Sequence, residues 1–267
     1  MSAAARAAKR AVKLAAAAGD MVLGPMPGPK ILIYHQVGAG TGLEMEVSVE
    51  DFRRQLDWLS ANGEVVDLAT AIASRDLPAS SRMFVLTFDD GYADVYRHAF
   101  PLLRERSLPF TLYLTTNPIE TREPLRADGR AEPLTWEQVG DMVDQGLVTV
   151  GAHTHSHPDL RAVDEAAVAD EVDRSNRLIE ERLGVAPRHF TYPWGYWSPQ
   201  ADRVVRAAYE TATLGSGRAL TGATDPLLLN RVPVQLSDGT EFFKWRMVGG
   251  LRLEDRVRRL VRGYRGP

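Results

Sequence analysis

The 267-residue sequence contains no cysteine. Disulfides and thiolate ligands are thereby excluded, so any metal must be held by nitrogen and oxygen, and the redox compartment stays undetermined. No apolar run approaches the roughly 20 residues that a membrane-spanning helix needs. Excess charge is also missing: a net charge of −3 gives no argument for nucleic acid as a partner. Histidine is scarce, at six residues. What is present, 44% hydrophobic and 25% charged residues, suits an ordinary globular chain with one large α/β domain or two small ones.

The ends differ from the middle. Ala3 to Ala18 is alanine-rich, with Arg6, Lys9, Arg10 and Lys13 at helical spacing. Its apolar stretch Leu14–Ala18 is short for a secretory signal. The segment reads as a basic helix or a frayed tail, which favours a cytoplasmic or membrane-peripheral location over secretion. Gly24–Pro29 is a stiff, non-helical linker. A catalytic domain is expected over 30–240, and a basic amphipathic extension over 241–267. In that extension Arg252, Arg256, Arg258, Arg259, Arg262 and Arg265 interleave with Leu253, Val257, Leu260 and Val261. Such a stripe either packs on the domain or docks, with the N-terminal segment, on an anionic membrane surface.

Between the ends, β-rich runs alternate with helical patterns. Strands are expected at Lys30–His35, Glu64–Leu68, Met83–Phe88, Phe110–Thr115, Val148–Gly151, His189–Tyr192, Thr211–Leu214 and Arg231–Val234. Ser48 with Asp51, and Thr135 with Gln138, open helices, and Gly184 stops the longest one. This alternation implies mostly parallel pairing, in a barrel or an open sheet. The chemically loaded residues follow the carboxyl ends of the apolar runs, where such sheets place their sites.

Three constellations carry chemistry. Leu86-Thr87-Phe88-Asp89-Asp90-Gly91-Tyr92 sets two carboxylates at the end of a strand. Adjacent extended residues point oppositely, so both reach one site only where the strand turns, and Gly91 is expected to supply that turn. Gly151-Ala152-His153-Thr154-His155-Ser156-His157-Pro158 brings half of the chain's histidines into five residues. His153 and His157 suit a shared metal, on a helical turn or in a tight loop closed by Pro158, while His155 points elsewhere. Thr154 and Ser156 are spaced to orient their neighbours. Tyr192-Pro193-Trp194-Gly195-Tyr196-Trp197 is an aromatic cluster at another strand end. It reads as a wall for a sugar ring, or as a plug over the sheet. Imidazole with carboxylate suits zinc, and a spare acid beside the ligands suits a metal-activated water.

The TFDDG, HTxSH and PWG segments resemble the first three motifs of the polysaccharide deacetylase family, carbohydrate esterase family 4. Leu32-Ile33-Tyr34-His35-Gln36-Val37 resembles the subgroup with an N-terminal tyrosine–histidine–x–valine strand. The resemblance runs from about Ile31 to Val234. It implies a distorted (β/α) barrel of about seven strands with a divalent metal, usually zinc, on Asp90, His153 and His157. It further implies Asp89 as general base and the backbone N–H of Tyr192 as oxyanion donor. Pro193, Trp194, Tyr196 and Trp197 would contact an acetylated glycan.

Two departures stand out. The arginine that the family carries two residues before the proline of its third motif is replaced by Thr191, and no histidine follows His189 to serve as late general acid. His35 is the first candidate for that acid, and a protonated Asp89 is the alternative. Arg231 is the candidate to orient Asp89 or stabilise charge. The resulting expectation is an N-deacetylase acting on an N-acetylglucosamine-like sugar of a polysaccharide or its precursor. De-O-acetylation is the near rival, and a catalytically silent, metal-containing carbohydrate-binding protein the distant one.

Overall fold

The computed structural model describes Lys13 and residues 27–125, 131–215 and 220–250. The expectations for the remaining N-terminal residues and for 251–267 fall outside the described residues. Parallel strands dominate: β1 (Lys30–Tyr34), β4 (Glu64–Val65), β5 (Met83–Phe88), β6 (Phe110–Leu114), β7 (Val148–Ala152), β8 (His189–Thr191), β9 (Thr211–Leu214), β10 (Leu229–Asn230) and β11 (Val232–Pro233) form one sheet. Two short strands, β2 (Gln36–Val37) and β3 (Glu46–Val47), pair separately.

The order β10-β9-β8-β7-β6-β5-β1-β11 makes a nearly closed barrel of eight strands, with β4 beside β5. About seven were expected. The difference lies at the seam: β10 pairs with β9 and β11 with β1, yet a single residue, Arg231, separates them. One extended stretch thus joins both edges of the sheet, leaving little edge to protect.

Alternation along each strand sorts side chains into two environments. Leu32, Tyr34, Leu86, Phe88, Leu112, Leu114, Val150, Ala152, Phe190, Ala212 and Leu214 belong to the main core. There they meet Phe52, Leu56 and Leu59 of the helix Val49–Asn62, Val139 and Met142 of Trp136–Asp144, and Val168, Val172 and Ile179 of Glu165–Leu183. Tyr34 stacks on Phe88 at 5.3 Å, and Phe52 meets Tyr34 edge-on at 5.2 Å. The intervening residues are different in kind. Thr87, Thr111, Tyr113, Gly151, Thr191, Thr213 and Arg231 are mostly polar, and all seven are buried. Ile31, Val85 and Leu229 form a small separate apolar cluster with Val66, Leu68, Ala71 and Leu220. Continuing the alternation one residue past β1, β5 and β7 gives His35, Asp89 and His153. The strand period therefore sets the site.

The helix caps form as the sequence predicts. Ser48 accepts from the Asp51 N–H, Thr135 and Gln138 make a reciprocal capping box, and Gly184 ends its helix with φ 67°. The pattern around Asp94–Arg106 is instead split into a π-helical turn, Val95–Ala99, and a short α-helix, Phe100–Glu105. Pro101 lacks the N–H that a continuous α-helix would use, which suits that break. The helix Gly239–Met247 buries Phe243 against Trp58. Its neighbour Asp238 pairs with both Arg246 and Lys13, so the first residues of the expected C-terminal extension pack into the body. Among the described residues no helix is long and apolar enough to cross a membrane.

Gly151 tests the tightness of the interior. A Cβ there would lie 2.5 Å from the Tyr113 ring and 2.9 Å from the His189 carbonyl oxygen. Gly151→Ala is expected to cost about 1–3 kcal/mol by overpacking, read as a shift in the urea midpoint with unchanged slope.

Candidate active site

The backbone bends sharply where the chemistry is. Among the described residues six non-glycine residues have positive φ, and four of them, Asp90 (72°), Thr154 (65°), His157 (60°) and Trp194 (62°), belong to the three motifs. Each such conformation costs on the order of 1–2 kcal/mol for a residue with a Cβ. The turn after β5 begins at Asp90 itself and continues through Gly91 (φ 90°), one residue earlier than expected. That early turn carries the side chain after Asp89 to the same end of the barrel. The Thr115 N–H on the Asp90 carbonyl (3.3 Å) and the Leu134 N–H on the Gly91 carbonyl (2.8 Å) hold it.

His153 Nδ1 lies 2.7 Å from the Thr191 carbonyl, which can only accept, so that nitrogen carries the proton. That directs Nε2, the lone-pair nitrogen of the neutral ring, toward Asp90 Oδ1 at 3.3 Å. His157 Nε2 lies 3.5 Å from the same oxygen. Donor atoms of Asp90, His153 and His157 all fall within 4.8 Å of one another, the one such group among the described residues. Asp90 Oδ1 is buried and has no hydrogen-bond partner. A buried, unpartnered carboxylate oxygen facing two imidazoles is a cradle for a cation, so the donor set fits a divalent metal.

Charges agree. Burial pushes His157 down to about 4, with His153 adding to the effect, so the ring is neutral and free to ligate at physiological pH. Burial opposes ionisation of Asp90, but the His153 contact and the neighbouring imidazoles outweigh it, holding the carboxyl far below its usual range. His155 is turned away, as expected, its two nitrogens engaged by Thr116 Oγ1 (3.0 Å) and Arg174 Nη2 (2.6 Å). The loop is not helical. Thr154 Oγ1 accepts the His157 N–H at 3.1 Å, and Ser156 bonds Glu171.

Asp89 stands apart from the ligand group, in a fork with Arg231. Nη1 donates to Oδ1 at 2.7 Å and Nη2 to Oδ2 at 2.6 Å. The remaining guanidinium hydrogens go to Thr87 Oγ1 (2.9 Å), Thr191 Oγ1 (2.6 Å) and the Leu214 carbonyl (3.3 Å). All five donors are used. Thr191, where the resemblance leads one to expect an arginine, instead accepts from one. Burial alone would raise the Asp89 pKa. The Arg231 charge and hydrogen bonds, with His153 and His35, outweigh it and keep the carboxyl below its ordinary value. His35, half-buried, lies close enough for its charge to act on Asp89, Asp90 and His157.

The aromatic cluster divides. Trp194 is 61% exposed, its ring 5.0 Å from that of His157. Tyr192 is fully buried against Phe190 and belongs to the core. Its N–H is committed to the Thr213 carbonyl at 3.1 Å, which corrects the expectation that it serves as oxyanion donor. Pro193 is buried, Trp197 packs on the core, and Tyr196 lies under the Arg161 guanidinium at 3.6 Å. A continuous aromatic wall is therefore replaced by one exposed indole. Gly195 permits the turn, since a Cβ there would lie 2.7 Å from the backbone of Gly215.

Sequence reasoning missed Glu171, Arg174 and Thr116, which grip the histidine loop. The first two look like an ordinary solvent-facing pair on a helix, so nothing local marked them.

Removing Arg231 leaves Asp89 a buried, unpaired carboxylate. Arg231→Met is expected to cost about 3–5 kcal/mol in chemical denaturation. Adding Asp89→Asn should recover part of that loss, giving a non-additive cycle.

Residues 76–212 match the model of the family described as Polysaccharide deacetylase. YxkH of Bacillus subtilis is 26% identical over 184 residues, covering 68% of this chain and 61% of that protein. The poly-β-1,6-N-acetyl-D-glucosamine N-deacetylase of Staphylococcus epidermidis is 24% identical over 159 residues, covering 56% and 54%. The chain thus spans less than two thirds of the length of either relative. The solved structure of IcaB from Ammonifex degensii superposes with a TM-score of 0.71 at 28% identity, covering 84% of this chain and 98% of that one.

Proposed function

Given that the chain belongs to the polysaccharide deacetylase family, we propose that it is a metal-dependent hydrolase removing acetyl groups from N-acetylglucosamine-like sugars of a polysaccharide or its precursor. One observation carries this reading: the unpartnered Asp90 oxygen faced by two imidazole nitrogens, beside a second carboxylate held on an arginine. The named activity of the Staphylococcus epidermidis relative supports the choice of sugar. Asp90, His153 and His157 would hold the cation, and two nitrogens with one oxygen suit zinc. A bound divalent cation supplies Lewis acidity and lowers the pKa of water toward about 7.

The protein's own groups do the rest. Asp89, kept ionised and fixed by Arg231, accepts a proton from the attacking water. Water adds to the acetamide carbon, the C–N bond breaks, and acetate leaves with the sugar amine. That amine must gain a proton to depart. His35, at the barrel mouth, is the donor. Trp194, whose N–H has no partner among the described residues, replaces Tyr192 as the backbone donor to the developing oxyanion. Its exposed indole offers a stacking face for the sugar ring.

De-O-acetylation is the second reading, favoured by the lack of any histidine after His189. An alkoxide leaves with far less acid assistance than an amine.

Acetate release from acetylated oligosaccharides, with and without chelator, tests the proposal. Asp89→Asn should lower kcat by about 10²–10⁴ while metal content is retained. Full activity, or release that ignores chelator, contradicts it. His35→Ala should lower N-acetyl hydrolysis by about 10² and leave O-acetyl hydrolysis less affected. Equal turnover of both substrates by that variant and the unaltered protein removes His35 as the acid.

A further inference from the structure

We propose that Glu171 is a positioning residue for the metal-ligand loop, with Arg174 one helical turn later completing the grip. The proposal rests on the reading of Asp90, His153 and His157 as a cation site. The loop holds left-handed backbone at Thr154 (65°), just after the first histidine ligand, and at the second ligand His157 (60°), neither of them glycine. Such a conformation persists only where surrounding contacts over-determine it.

Glu171 supplies those contacts. Its Oε2 accepts the N–H of His155 (2.9 Å) and of Ser156 (2.7 Å), and its Oε1 accepts the Ser156 hydroxyl (2.6 Å). One carboxylate thus gathers three donors from the two residues at the centre of the loop. Charge-assisted hydrogen bonds of this kind are the strong ones. Arg174 Nη2 meets His155 Nε2 at 2.6 Å and Thr116 Oγ1 meets Nδ1 at 3.0 Å, which turns the middle imidazole away from Asp90. On the opposite side, Asn117 donates its N–H to the His155 carbonyl at 2.8 Å. The helix Glu165–Leu183 packs Val168, Val172 and Ile179 into the core, so Glu171 ties the loop to a rigid element.

This arrangement separates metal affinity from folding. Loss of Glu171 frees the loop to relax toward ordinary backbone angles and carries His157 out of register with Asp90, while the buried face of the helix is untouched. A carboxylate acting only as a surface salt-bridge residue would move neither quantity much.

Chelator competition with Zn²⁺ on the full chain, alongside thermal unfolding of the metal-stripped protein, tests this. The unaltered protein should take up one zinc per chain. Glu171→Ala should bind zinc about 10–100-fold more weakly, with the metal-free melting temperature within a few degrees. Glu171→Gln, which keeps an acceptor oxygen for both N–H groups, should recover most of the affinity. Glu180→Ala, exposed on the same helix, should change nothing. Zinc affinity of Glu171→Ala within twofold of the unaltered protein overturns the proposal. Should Glu171→Ala fail to fold, Ser156→Ala decides, with several-fold weaker binding expected and unchanged binding overturning it. If the unaltered protein itself takes up no zinc, it is the cation-site reading that fails.

Discussion

The bidentate pair between Arg231 and Asp89 ties the closure of the barrel to the chemistry at its mouth. Arg231 sits at the seam, with β10 on one side of it and β11 on the other. Its side chain bonds Thr87 on β5, Thr191 on β8 and the Leu214 carbonyl on β9 before reaching the carboxylate. A cation so buried is tolerable only when every donor is satisfied and a counter-charge lies in contact. Threonines at successive interior positions provide the first condition, and Asp89 provides the second. The polar interior is thus what allows a fixed, ionised carboxylate beside the ligand group.

A second constraint is backbone strain. Asp90, Thr154, His157 and Trp194 are left-handed without being glycine, and their motifs converge on the same end of the barrel. Asp90 needs this turn because adjacent extended residues cannot face one site. The histidine loop needs it to return its second imidazole to the same carboxylate oxygen as the first. The turn at Trp194 places an indole beside His157. The packed core described above, from Tyr34 and Phe88 to the long helix, supplies the free energy that holds these turns.

The fold was legible because strand ends and chemical residues coincide in this chain. Met83–Phe88 and Thr211–Leu214 are found with the bounds that their apolar runs predict. That the acid pair and the clustered histidines share a metal site was legible from residue type and spacing, and the choice of Asp90 over Asp89 as ligand came from the family resemblance. Arg231 could be suspected only through the family resemblance, once Thr191 was seen where an arginine was wanted, and its five-donor network draws on groups from three strands, β5, β8 and β9. The aromatic cluster misled. Four rings in six residues carry no period that separates core from surface, and the structure buries Tyr192 while exposing Trp194. Hydrogen bonding of the Tyr192 N–H to Thr213 is a matter of strand register, which composition does not encode. Glu171 was hidden for a related reason: its partners are backbone N–H groups, which look alike in every sequence.

The most direct test of the account is anomalous diffraction at the zinc edge from crystals of the metal-loaded protein. The account predicts one peak bounded by Asp90, His153 and His157, with the Asp89 carboxylate still forked on Arg231 and not ligating. A peak elsewhere, or Asp89 swung off the arginine onto the ion, would contradict it.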